Sequence, residues 1–205
     1  MNILIVTSSA QGEASVSSRL AATFSEQLRS AHPGSRIVVR DVGRDPIPHL
    51  TEENVAGIRA EARSDAEIAA RDLSDALIAE VLAADLVVIA SPMYNFGISS
   101  TLKTWFDHVL RPRIAFRYTE EGPQGLLGGR QVVVIESRAG FYGPGDPADS
   151  QEPLLRQMLT FAGLTDISFV RAEKLAFGPD AAAASIAQAE AELAVLARRE
   201  LPLAA

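Results

Sequence analysis

Ser8, Ser9, Ser15, Ser17 and Ser18 crowd a short stretch around Gly12, just ahead of Leu20, Phe24 and Leu28 at four-residue spacing. Hydroxyl donors beside the unpaired N–H groups of a helix start are the chemistry of a phosphate seat. The stretch has neither the GxxxxGK[ST] spacing of a triphosphate loop nor the GxGxxG of a dinucleotide fingerprint, so a monophosphate suits it better. Serines that merely cap and solvate a turn are the competing explanation. A second group, Pro92, Met93, Tyr94, Asn95 and Phe96, sets sulfur, aromatic rings and one amide side by side. A third, Ser137, Arg138, Ala139 and Gly140, runs on through Phe141, Tyr142 and Gly143. Its small residues let a flat ligand approach the backbone, and Gly140 and Gly143 are free to take positive φ. A charged tail at the first group, an apolar ring at the second and ring heteroatoms facing amides at the third describe a planar, phosphate-bearing cofactor.

These groups need a sheet edge to converge on. Asn2–Thr7, Arg36–Asp41, Ala84–Ala90, Gln131–Ser137 and Ile167–Ala172 are short β-branched runs of strand length, and Arg36 and Arg40 mark the second as an edge strand. Helical spacing separates them. One helix runs from Val16 to the Pro33-Gly34 stop, and another follows the Ser64/Glu67 capping-box pair. A third, with Leu102, Trp105, Phe106 and Val109 on one face, is capped by Ser99 or Ser100. The last two span Gln151–Gly163 and Ala181–Arg199. A weak helical segment at Leu50–Ala62 carries Arg59, and Arg111–Gly129 is a long connection carrying Phe116 and Tyr118. Strands alternating with helices favour a three-layer α/β domain over residues 1–205, with the three groups on loops at the carboxyl edge of the sheet.

The composition narrows the function classes. With a net charge of −7 and no basic cluster, the chain is not expected to bind nucleic acid. No apolar run approaches the roughly 20 residues of a membrane span, and the start lacks a basic region followed by an apolar stretch, so the expected location is the cytoplasm. The chain has no cysteine, which removes thiolate catalysis, disulfides and cysteine-held metals. His32, His49 and His108 stand far apart with no helical metal-binding interval, so no metal site and no catalytic side chain of the protein's own are expected. The hard chemistry would fall to the cofactor.

The segments ILIVTSS, SPMYNFGISSTLKTWFD, FRYTEEGPQGL and SRAG, spread along essentially the whole chain, resemble those of the FMN-dependent NADH-azoreductase family within the flavodoxin-like NAD(P)H:quinone reductases. The resemblance implies a flavodoxin-like fold with a five-stranded parallel sheet in the order 2-1-3-4-5 and FMN at the switch point. It implies Ser9, Ser15, Val16 and Ser17 at the phosphate, Pro92 to Phe96 along the flavin, and Ser137 to Gly140 opposite. Family members commonly have glycine at position 139 and a polar residue at position 16. The resemblance further implies a homodimer with flavin sites near the subunit interface, and Arg59, Tyr118 and Phe161 as substrate contacts. Two electrons would pass from NADH, or NADPH, through FMN to quinones and aromatic azo compounds in a ping-pong cycle. The alternative is a flavodoxin-like electron carrier serving a protein partner.

Overall fold

The computed structural model describes residues 1–143 and 145–199, and the expectation of one domain over 1–205 extends beyond them. Five parallel strands form the central sheet: β1 (Asn2–Thr7), β2 (Arg36–Asp41), β3 (Leu86–Pro92), β6 (Gln131–Ser137) and β7 (Asp166–Ala172), in the order β2-β1-β3-β6-β7. Leaving aside a small separate hairpin, this is the expected 2-1-3-4-5 arrangement, with β2 at an edge.

Helices α1 (Val16–Ala31) and α6 (Pro179–Ala197) cover one face, where Leu20, Phe24 and Leu28 meet Ile3, Ile5, Val88 and Leu193. Helices α3 (Asp65–Ala83), α4 (Ser100–Val109) and α5 (Gln151–Phe161) cover the other, where Leu102, Trp105 and Phe106 pack with Val87, Ile89 and Leu155. Being covered on both sides is why β3 reads as an unbroken apolar run and is buried along its full length. Ser99 is the cap of α4, its side chain accepting from the Leu102 N–H, and Ser64 and Glu67 form the capping box of α3.

Two elements differ from the sequence expectation. The weak segment at 50–62 contributes only α2 (Val55–Arg59). The connection at 111–129 folds into an antiparallel hairpin, β4 (Phe116–Thr119) with β5 (Gly122–Gly125). Its strands are too short and too rich in Gly and Pro to show a period of two, and Phe116, buried against Phe161 at 4.4 Å between ring centroids, anchors it.

Candidate functional site

The loop after β1 is held down before it is shaped. The Ser8 hydroxyl donates to the Ala90 carbonyl at 2.9 Å, and the Thr101 hydroxyl donates to the Ser8 carbonyl at 3.2 Å. A short turn at Gly12–Ala14 then delivers Ser15 in extended conformation as the cap of α1, its Oγ accepting from the Ser18 N–H at 3.3 Å. Ser15 Oγ lies 3.2 Å from Ser17 Oγ, and both residues are buried. As first-turn residues, Val16 and Ser17 have N–H groups with no intrahelical acceptor. The Val16 side chain packs toward the α1/α6 core, so only its backbone faces the loop. Hydroxyls, free amides and the positive end of a 16-residue helix suit a phosphate monoester without a lysine.

The loop after β3 is a tight turn. Tyr94 and Gly97 exchange two backbone hydrogen bonds of 2.9 and 3.1 Å around Asn95 (φ 48°) and Phe96 (φ 71°). Positive φ at both central positions is the type I′ pattern, which asparagine tolerates and phenylalanine resists, so Phe96 holds its half-exposed ring at a backbone cost of about 1–2 kcal/mol. The Tyr94 hydroxyl reaches back to the first loop. It accepts from the Ala10 N–H and shares a hydrogen bond with Ser9 Oγ, each at 3.1 Å. Tyr94 is thereby a brace between two loops. Replacing it by phenylalanine is expected to weaken binding of the FMN that the resemblance implies by about 3- to 30-fold, the cost of leaving those partners unmatched, measured by fluorescence titration of the apoprotein.

The third loop is fixed by its carbonyls. Those of Arg138, Ala139 and Gly140 accept from the N–H groups of Leu175, Ala176 and Lys174, at 3.3, 3.1 and 2.7 Å. None of these bonds uses the N–H of Ala139 or Gly140. Among the described residues of this loop only Gly145 takes positive φ, so neither Gly140 nor Gly143 uses left-handed backbone, and alanine at 139 carries no such strain. A Cβ at Gly140 would sit 3.2 Å from the Tyr142 ring.

Arg138 belongs to this loop by sequence, yet its guanidinium turns beneath it and is fully buried. It pairs with Glu136 at 2.7 Å, Asp149 at 3.0 Å and Glu173 at 3.3 Å, and donates to Gln151 at 3.0 Å. It is placed to support the loop, not to hold a ligand with its side chain. Burial pushes the Glu136 carboxyl up to about 7, outweighing the opposing attraction of Arg138, and Glu136 Oε1 is a buried atom with no partner.

Arg59, Tyr118 and Phe161 are not brought to these loops. Arg59 donates to the Leu110 carbonyl at 3.1 Å, just past the end of α4. Phe161 ends α5, and Tyr118, three-quarters exposed, stacks edge-on against Phe116. The three gather around the far ends of α4 and α5, about 15 Å along each helix from the residues that start them beside the loops.

Sequence reasoning missed Gly43. It lies against the first loop so closely that a Cβ there would stand 2.2 Å from the Ser9 carbonyl oxygen. A glycine after Asp41 looks like any turn; nothing local signals its neighbour.

Comparison with known proteins bears on the family and the fold. The family described as Flavodoxin-like fold matches residues 1–196. The chain is 49% identical over 199 residues to the FMN-dependent NADH:quinone oxidoreductase of Hyphomonas neptunium, covering 96% of each chain. It is 48% identical over 197 residues to the protein of the same name from Azotobacter vinelandii, covering 95% of this chain and 98% of that one. The crystal structure of azoreductase AzrA superposes with a TM-score of 0.87 at 28% identity, covering 97% of this chain and 99% of that one.

Proposed function

We propose a function from the premise that this chain belongs to the Flavodoxin-like fold family, among its FMN-dependent NADH:quinone oxidoreductases and azoreductases. The reaction is transfer of two electrons from NADH, with protons from solvent, to quinones; an aromatic azo compound takes four electrons in two successive cycles, with reductive cleavage of the azo bond to two amines. Donor and acceptor use one cleft in turn, in a ping-pong cycle. The observation that carries this reading is the convergence of a hydroxyl-lined helix start, a strained aromatic turn and a small-residue wall on one sheet edge. We read residues 1–205 as one FMN-binding domain working in the cytoplasm; no described helix is long and apolar enough to cross a membrane.

FMN, where bound, would supply two-electron redox chemistry between the nicotinamide and the acceptor. The protein supplies place and field. Ser9, Ser15 and Ser17, with the Val16 and Ser17 amides, would hold the phosphate. Pro92 to Phe96 would lie along the ring and exclude water from its face. The Ala139 and Gly140 N–H groups, on a loop whose carbonyls are tied behind it, would meet the negative charge that the reduced ring acquires. Tyr94, with its hydroxyl already engaged at Ser9 and Ala10, serves as a wall and brace rather than as a proton donor.

The protein would act as a homodimer in which Arg59, Tyr118 and Phe161 complete the partner's cleft, since their distance from the cleft of their own chain leaves them no role there. Tyr118→Ala is then expected to raise KM for a quinone by about 2- to 10-fold while FMN content stays unchanged, as read from steady-state kinetics and the flavin absorbance of the purified protein. The reaction itself is tested by anaerobic stopped flow. NADH alone should bleach the flavin absorbance, and a quinone added after removal of nucleotide should restore it. Bleaching that reverses only with a protein acceptor would favour the electron-carrier alternative.

A further inference from the structure

Gln151 stands at the start of α5, fully buried, where a polar side chain needs a reason. Its two ends do different things. Oε1 accepts from Arg138 Nε at 3.0 Å, and Nε2 donates to both the carbonyl and the hydroxyl of Ser91, at 2.8 and 3.0 Å. Ser91 precedes Pro92–Phe96, and Arg138 opens the facing loop, so one amide spans the roots of both walls of the cleft. Its neighbours secure it. Asp149 accepts from the Gln151 and Glu152 N–H groups at 2.9 and 3.2 Å while pairing with Arg138, and the Ser150 N–H donates to the Phe96 carbonyl at 3.1 Å. The position asks for an uncharged side chain that accepts at one end and donates at the other, which an amide does and a carboxylate does not.

We infer that Gln151 is a positioning residue that sets the spacing between the Pro92–Phe96 wall and the Arg138–Gly140 wall, and so the grip on the flavin ring, without touching the ring. The inference rests on the FMN reading above. It separates two parts of cofactor binding: Ser15, Val16 and Ser17 stand at the start of α1, away from the bridge, and only Ser9 and Ala10 are tied to one of its walls, through the Tyr94 hydroxyl, so disturbing the bridge should weaken the hold on the ring much more than the hold on the phosphate.

Gln151→Glu isolates the bridge, because a carboxylate still accepts from Arg138 but cannot donate to Ser91. The apoprotein, wild type and variant, would be titrated with FMN and with riboflavin, which carries the ring without the phosphate. Both affinities are expected to fall roughly 10-fold in the variant with their ratio unchanged, while the apoprotein melts within a few degrees of wild type. Affinities within twofold of wild type would overturn the role, as would a loss confined to FMN. Ser91→Ala, which removes one of the two acceptors, carries the same test where Gln151→Glu does not fold: a smaller loss, equal for both flavins, is expected, and no loss overturns the inference. Wild-type protein that binds neither flavin would overturn the FMN reading itself and the positioning role with it.

Discussion

Replacing Gly43 by alanine is expected to weaken FMN binding by about 10- to 100-fold, although residue 43 is outside every loop assigned to the cofactor. The added Cβ would stand 2.2 Å from the Ser9 oxygen and 2.8 Å from the Ser9 carbonyl carbon. Backbone cannot step aside as the tip of a long side chain can. The segment around Gly43 is also tied, its N–H and that of Arg44 both donating to Asp41 Oδ1 at 3.1 Å, while the Val42 N–H donates to the Thr7 carbonyl at 2.9 Å. The strain therefore falls on Ser9, whose hydroxyl meets Tyr94 and the Gln11 N–H. Titration of the apoprotein with FMN checks this, and an affinity within twofold of wild type would mean that the first loop adapts more freely than its hydrogen bonds imply.

Arg138→Met is expected to destabilise the protein by about 3–5 kcal/mol, because it takes from the buried Glu136 its nearer cation, at 2.7 Å, and leaves only Arg171 at 3.5 Å. For a chain of this length that corresponds to a fall in Tm of roughly 6–20 °C. The loss should depend on pH with a definite sign. The Glu136 carboxyl is raised from the ordinary 4.5 to about 7 by burial, against the pull of Arg138 and Arg171 and with a further push from Glu152. The folded state thus holds a proton between those values that the unfolded chain has released. This group's contribution is present in full below about 4.5 and fades as pH rises through 7. Without Arg138 the charged form of Glu136 is worse still, so Arg138→Met should be penalised more at pH 8 than at pH 5, and adding Glu136→Gln should flatten that difference. Urea unfolding at the two pH values is the measurement; an equal penalty at both would show that Glu136 does not carry the cost.

Much of the fold is legible because it follows from burial. Strands sandwiched between helix layers read as unbroken Val, Ile and Leu runs, and Arg36 and Arg40 give away an edge. Caps are local chemistry: Ser64 is where the sequence puts it, and Ser99 is one of the two neighbouring serines the sequence offers. The hydroxyl pair proposed to hold the phosphate is legible for the same reason, since Ser15 and Ser17 meet within one turn of the start of α1. What escapes is long-range. Nothing near Gly43 announces Ser9, nothing near Tyr94 announces that its hydroxyl braces the first loop, and nothing in QVVVIES marks Glu136 as half of a buried pair with Arg138. The small hairpin β4–β5 is hidden because its register is fixed by Phe116 in the core, not by alternation along its strands. Arg138 shows the limit most plainly: sequence puts it in the cofactor loop, and three carboxylates turn its side chain away from the cleft.

Three loops that close on one flavin would be protected together when it binds. Hydrogen–deuterium exchange of the apoprotein, compared with and without saturating FMN, tests this segment by segment. Slowed exchange is predicted together at residues 8–18, 93–97 and 138–142, with β2 and the outer face of α6 unchanged. Protection that bypasses any of these loops, or that centres on another surface, would contradict it.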